Sequence, residues 1–327
     1  MQRPRLSVVV PCHNEQDSLV ELHRRLAAAC TEAVGADYEI VLVNDGSRDL
    51  TWAAMADLAH RDPHVVAVNL ARNFGKELAL SAGLGLAKGA RVLIIDADLQ
   101  DPPELIPAMM RKMDGGADVV YGLRPRRAGE SWPKRASSAA FYRVLGWLSD
   151  IAIPRDTGDF RLLSRRVVDA LLAMPETHRY LRGLVSWVGM RQEAIEYNRP
   201  PRHAGRTKFT PGKLIALAFD AMSAFSIRPL RIASYLGLVA GAGALLLLVY
   251  VLWSWLSGVA VEGWTSLMLV VLLLNSAQLI VIGIMGEYLG RTYLETKRRP
   301  LFVIERIVRS DGADPVAGDT RPPPAQT

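Results

Sequence analysis

The sequence predicts an α/β domain built on a mostly parallel sheet, followed by amphipathic interfacial structure and a two-helix transmembrane hairpin. Three observations predict it. Short apolar runs alternate with helically spaced segments over the first 120 residues. Polar clusters fall at three of the run ends. Two long uncharged stretches occupy the C-terminal third.

The runs "LSVVV" (6–10), "EIVLV" (39–43), "HVVAV" (64–68), "RVLII" (91–95) and "DVVYG" (118–122) read as strands. Between them, residues 16–30 carry Leu19, Leu22, Leu26 and Cys30 at helical spacing, and 49–61 and 76–88 also read as helices. In a parallel sheet of this kind, ligands bind beyond the carboxyl ends of the strands. "PCHNE" (11–15), "NDGS" (44–47) and "DADLQD" (96–101) stand at three of those ends.

Farther along, Ile232–Leu256 holds 25 residues without a charge and Trp264–Gly286 holds 23. Each exceeds the roughly 20 residues a helix needs to cross a bilayer. Trp253, Trp255 and Trp264 flank the connection between them, as in an interfacial aromatic belt. That connection, residues 257–263, has no Lys or Arg. Arg228 and Arg231 precede the first span, and Arg291, Lys297, Arg298 and Arg299 follow the second. The positive-inside rule then puts both termini in the cytoplasm and the connection outside. Residues 209–231 open with Thr210 and Pro211, a helix-start pair, and read as an amphipathic helix on the membrane surface or a packed helix of the soluble domain.

The expected organisation is a cytoplasmic domain over 1–208, the juxtamembrane helix over 209–231, spans over 232–256 and 264–288 joined by an external loop at 257–263, a cytoplasmic segment over 289–309 and a disordered tail over 310–327. The formal net charge of +6 suits an anionic partner such as nucleic acid, a phosphate-bearing substrate or an anionic membrane. The two cysteines, Cys12 and Cys30, lack metal-ligand spacing and fit a reducing compartment.

The acidic cluster carries the chemistry. In an extended chain, positions i and i+2 share a side, so Asp96 and Asp98 can present two carboxylates to one hard cation, Mg²⁺ or Mn²⁺, and Gln100 can add a neutral oxygen. A solvated loop is the alternative. Asp101 and the two prolines after it read as shaping the turn into the next helix. The basic loop 122–135 can grip a phosphate through arginine forks, or simply be solvated.

Taken in order, "VVVPCHNE", "VNDGS", "RNFGKELALSAGL", "DADLQDPPE" and "TGDFRLLSR" resemble the successive motifs of family-two glycosyltransferases of GT-A fold. With the two-helix anchor, the chain over about residues 5–305 is similar to the polyprenyl-phosphate glycosyltransferases, the group of dolichyl-phosphate mannose synthase and its bacterial undecaprenyl-phosphate relatives. The resemblance implies that Pro11, Asn14, Glu15, Asp45, Lys76 and Asp96 bind the nucleotide sugar. It further implies that Asp96, Asp98 and Gln100 hold the metal. By the same resemblance, Arg124 with Arg135 or Lys134 holds the lipid phosphate, and Asp98, Gln100 and Asp159 serve catalysis.

Asp159 lies where many such enzymes keep a base. A lipid phosphate is already an oxyanion and needs none, so an orienting role is expected of it. The implied reaction is metal-dependent, inverting transfer from a nucleotide diphosphate sugar, UDP-glucose first, to a polyprenyl phosphate, undecaprenyl phosphate first. GDP-mannose and UDP-aminosugars stay open as donors. A polysaccharide synthase is disfavoured because no Gln-x-x-Arg-Trp element is found. A non-catalytic nucleotide-sugar-binding protein is the remaining competitor. No nucleic-acid partner is expected. Asn275 and Gln278, polar within the second span, hint at a homo-oligomer.

Overall fold

In the computed structural model the chain is described over residues 3–123, 157–197, 228–258, 263–310 and 312–314. It divides into two units: one takes in the described residues up to 197 and again from 299, the other residues 228–298.

The first unit is built on a nine-stranded sheet. Four strands make its parallel centre: β1 (Leu6–Cys12), β2 (Tyr38–Asn44), β3 (Val65–Leu70) and β4 (Arg91–Ile94), side by side in the order β4-β1-β2-β3. Each matches an apolar run read from the sequence, because a strand covered on both faces cannot afford an alternating pattern. β5 (Val119–Leu123), β6 (Thr157–Ser164) and β7 (Gln192–Glu196) extend one side in the order β7-β5-β6, with β6 antiparallel to both β4 and β5. On the other side, β8 (Ile304–Arg309) pairs antiparallel with β3, and β9 (Gly312–Asp314) with β8.

Helices cover both faces. Within α1 (Leu19–Val34), Leu19, Leu22, Leu26, Ala29, Cys30 and Val34 are buried, the stripe expected of 3.6 residues per turn. α2 (Thr51–Arg61) turns Thr51, Met55 and Ala59 inward, and α4 (Ile106–Asp114) buries Met109, Met110 and Met113. These pack with Val8, Val10, Ile40 and Leu42 in one apolar cluster that also takes in Phe160. Because side chains alternate along a strand, Val9 and Val43 face the opposite way, toward α3 (Lys76–Leu86). Gly83 permits that contact: a Cβ there would collide with Val9 and stand 3.1 Å from Val43 Cγ2. α5 (Arg165–Ala173) lies beside α3, and α6 (Leu181–Val188) packs on α5.

Two differences from the sequence expectation matter for the site. The fourth strand stops at Ile94, and residues 96–100 form a turn rather than an extended segment. Regular structure also runs past the expected boundary at 310, since β9 pairs with β8. The "LFVIERIVR" stretch is short and its charges mask the alternation, so nothing in it announced a sheet partner.

The second unit is a pair of helices in contact, α7 (Arg228–Leu256) and α8 (Trp264–Thr296). Ala233–Ser254 and Val270–Thr296, with mean hydropathies of 2.3 and 1.8, are long and apolar enough to cross a membrane. Leu245, Leu246, Leu272, Leu279 and Ile280 stand exposed along them, an apolar surface far beyond what a soluble monomer shows. Asn275 and Gln278 are exposed on α8. The expected helix over 209–227 lies outside the described residues, as does most of the connecting loop.

Candidate active site

The loops after β1 and β2 are fastened to one another by side-chain-to-backbone hydrogen bonds. Asn14 donates its N–H to Ser47 Oγ at 3.0 Å, and its own Oδ1 accepts from Arg48 N–H at 2.9 Å. Glu15 N–H donates to Thr51 Oγ1 at 2.9 Å, and Leu50 N–H to Gln16 Oε1 at 3.0 Å. Asn14 adopts φ +56°, a left-handed conformation that asparagine tolerates. His13 bonds the Asp45 carbonyl through Nδ1 at 2.8 Å and meets Asn14 Nδ2 through Nε2 at 3.2 Å. One tautomer, protonated at Nδ1, satisfies both.

The loop after β3 is tied in by Asp45. Its buried carboxylate accepts Phe74 N–H at 2.7 Å and Gly75 N–H at 3.0 Å. Gly46 sits at φ +62°, where a Cβ would fall on the backbone of Arg72 and Asn73. Only glycine lets these two loops approach so closely.

Between the loops opens a cleft of about 660 Å³ at the carboxyl ends of β1, β2 and β3. His13, Ser47, Arg48, Trp52, Arg72 and Glu305 are among its lining residues. It combines an indole face, two guanidinium groups and hydrogen-bonding side chains, a composition suited to a polar ring bearing a phosphate chain.

At the end of β4, Asp96 and Asp98 are partly exposed while Ala97 and Leu99 are buried. The segment is a turn rather than an extended run, and Asp98 Oδ1 accepts Gln100 N–H at 3.2 Å within it. Leu99 between them is held at φ +59°, a strained conformation for a branched side chain of the kind found at functional sites. Gln100 is buried, and Asp101 is wholly buried with Tyr197 donating its hydroxyl to it. Among the described residues no three or more His, Cys, Asp or Glu side chains are arranged to enclose a metal. Two carboxylates with a neutral oxygen still fit a hard cation that takes its other ligands from substrate phosphates and water.

A chain of charges runs inward from Asp96. Lys76 Nζ lies 2.6 Å from Asp96 Oδ1 and 2.5 Å from Asp159 Oδ2, and Arg182 Nε donates to Asp159 Oδ1 at 2.5 Å. Lys76 is the first residue of α3, where a cation opposes the helix dipole. Its two carboxylate partners offset that and hold its pKa above the ordinary lysine value, against the opposing effect of burial. Burial alone would raise the pKa of Asp159. The hydrogen bond from Arg182 and the charges of Lys76 and Arg182 override it and hold the group well below the usual carboxylate range. Next to them, Glu77 Oε2 accepts Leu181 N–H at 3.0 Å and so ties the start of α6 to the start of α3. Burial, reinforced by the charge of Asp159, pushes Glu77 up to about 7. Arg161, buried on β6, completes the group.

The structure thus brings Asp96, Asp98, Gln100, Lys76 and Asp159 to the β4 end of the sheet, and Asn14 and Asp45 to the β1 and β2 ends, with Pro11 in β1 and Glu15 in the loop after it. The side chains of Asn14 and Asp45 are occupied in fastening loops. Arg124, Lys134 and Arg135 lie outside the described residues. Sequence reasoning passed over Arg182 and Glu305, which stand in no motif, and Glu77, which lies within "RNFGKELALSAGL" without being singled out. His13 lay inside a quoted motif without being singled out.

A family model described as glycosyl transferase family 2 matches residues 7–172. A protein of Synechocystis sp. described as an uncharacterized glycosyltransferase is 44% identical over 303 residues, 92% of this chain and 95% of that one. The prophage bactoprenol glucosyl transferase homolog of Escherichia coli (strain K12) is 42% identical over 307 residues, covering 93% and 99%. The bactoprenol glucosyl transferase of Shigella phage SfII is 39% identical over 311 residues, covering 94% and 99%. Among solved structures, the glucosyl-3-phosphoglycerate synthase of Mycobacterium tuberculosis, in complex with Mn²⁺, UDP-glucose and phosphoglyceric acid, is similar at a TM-score of 0.43, with 19% identity over 67% of this chain and 78% of that one. Matched by the family model over half its length and by the relatives over nine-tenths of it, the chain belongs to glycosyl transferase family 2 and is a glycosyltransferase.

Proposed function

We propose that the protein transfers a sugar, glucose first among the candidates, from a nucleotide diphosphate sugar to a polyprenyl phosphate at the cytoplasmic face of the inner membrane. The observation that carries this is the state of Asp159: both its oxygens are taken by cations, from Lys76 and Arg182. A carboxylate so held is a poor base. An acceptor hydroxyl would need a base; a lipid phosphate arrives as an oxyanion. The apolar helices α7 and α8 and the names of the bactoprenol glucosyl transferase relatives support the same acceptor.

In this reading one phosphate oxygen attacks the anomeric carbon in line as the bond to the donor diphosphate breaks. The electron pair leaves on the diphosphate, configuration inverts and no proton moves. Asp96 and Asp98, with Gln100, are the residues that would hold a divalent ion, Mg²⁺ or Mn²⁺, which supplies charge neutralisation for the leaving diphosphate when bound. Lys76 stands beside Asp96 and adds a fixed positive charge on the same side. Asp159 and Arg182 fix that lysine.

The Lys and Arg flanks support the cytoplasmic orientation of the hairpin ends. β8 follows the hairpin in sequence and pairs with β3 before it, which supports both flanks lying on one side of the membrane. The test is incubation of the detergent-purified protein with a panel of labelled nucleotide sugars and undecaprenyl phosphate, followed by lipid extraction. Label from UDP-glucose is expected in the organic phase. A panel in which no donor labels the lipid would refute the proposal.

A further inference from the structure

β8 comes after the two apolar helices in sequence, yet it forms one wall of the cleft at the ends of β1, β2 and β3. Its pairing with β3 slips at this point. Asn69 faces Arg306 and Leu70 faces Ile304, so Glu305 is the extra residue of a β-bulge. Bulges re-aim a side chain, and here the side chain turned toward the cleft is a carboxylate. The ladder resumes beyond it, with Ala71 N–H donating to Val303 O at 2.9 Å.

That carboxylate ends a directional relay. Ser47 N–H donates to Asn44 Oδ1 at 3.2 Å, Asn44 Nδ2 to Asn69 Oδ1 at 2.6 Å, and Asn69 Nδ2 to Glu305 Oε2 at 2.6 Å. Asn44 and Asn69 are register partners on adjacent strands, so the relay crosses the floor of the cleft at right angles to the strands. Every donor points the same way, each bond polarises the next, and each amide is fixed in one orientation. A carboxylate has about four acceptor positions, and one bond from Asn69 leaves capacity for a ligand donor.

Along the carboxyl edge of the sheet the order is β4, β1, β2, β3, β8. Asp96 and Asp98, the candidate diphosphate end, stand at β4, so the nucleoside end of a bound donor extends toward β3 and β8. We propose that Glu305 is a specificity-determining residue for the donor, accepting an O–H or N–H of the nucleoside. The post-hairpin strand is then part of the donor site. The inference rests on a nucleotide-sugar donor and is independent of which lipid accepts the sugar.

The test is binding of UDP to the detergent-purified full chain and its Glu305→Gln variant. The glutamine oxygen can still accept from Asn69 and keep the wall in place, while the charge and one acceptor are lost. The dissociation constant for UDP is expected to rise about tenfold, the scale of one hydrogen bond to a charged group. Thermal stability is expected to stay at the wild-type level, so that the loss is read as lost binding and not as unfolding. Repeating the comparison with 2′,3′-dideoxyuridine diphosphate distinguishes two supporting outcomes. A penalty that vanishes assigns the contact to the ribose, and one that persists assigns it to the base. Unchanged UDP binding in the variant, in a wild type that does bind UDP, overturns the inference while leaving the donor reading intact. A wild type that binds no nucleoside diphosphate sinks the donor reading itself, and Glu305 with it.

Discussion

The ammonium of Lys76 lies 2.5 Å from Asp159 Oδ2, with Arg182 on the other oxygen of the same carboxylate. Asp159 is thus a clamp between two helices, α3 and α6. Replacing it with asparagine removes the counter-charge facing Arg182 and one of the two facing Lys76, which keeps Asp96. Asp159→Asn is expected to lower kcat by about one to three orders of magnitude without abolishing transfer, since positioning is lost and no proton transfer is. Thermal unfolding should register a loss of roughly 1–3 kcal/mol, less than for a fully buried pair because Lys76 and Arg182 are partly exposed. A complete loss of turnover in a variant that folds and binds donor would restore Asp159 to the role of base.

Glu77 makes the clamp sensitive to pH. Its folded pKa, about 7, lies above the ordinary glutamate value, so between about 4.5 and 7 the folded chain holds a proton that the unfolded chain releases. Folding stability therefore falls as pH rises through that window, and the penalty is complete above about 7. Glu77→Gln keeps an oxygen for Leu181 N–H and removes the titration. Thermal melts of that variant should be flatter than wild type between pH 5 and 7.5, and an unchanged slope would assign the pH dependence elsewhere.

Gly46 tests the loop contact. A Gly46→Ala chain must accept a left-handed alanine and a Cβ pressed on the Arg72–Asn73 backbone. The expected cost is about 1–3 kcal/mol in thermal stability, with UDP binding weakened because the β3 loop is displaced from the cleft. Wild-type melting and binding would show that the loops can part without consequence.

The acidic turn is tested by metal dependence. Chelation is expected to stop transfer and added Mg²⁺ or Mn²⁺ to restore it, whereas Asp98→Ala should stay inactive at any metal concentration. Full activity in Asp98→Ala would remove Asp98 from the metal set.

What could be read from the sequence followed the physics of burial. The strands of the parallel centre, β1 to β4, announced themselves because each is covered on both faces and so continuously apolar. The site at their ends followed from topology and from carboxylates crowded after an apolar run. Arg182 and Glu77 escaped notice because each matters through one long-range partner, Asp159 and Leu181, which no spacing along the chain reveals. Glu305 escaped because a short antiparallel strand with charges among its apolar residues carries little signal, and the bulge that turns its side chain exists only in pairing with β3. Residues 96–100 read as extended in the sequence yet form a turn, because aspartate serves strand ends and turns equally well.

In the proposed reaction the acceptor is already an oxyanion and no base is supplied. The most direct measurement offers the purified protein labelled UDP-glucose with either undecaprenyl phosphate or undecaprenol, the same lipid ending in a neutral hydroxyl, and counts label in the extracted lipid. Transfer to the phosphate and none to the alcohol is the expected result. Comparable transfer to undecaprenol would contradict it.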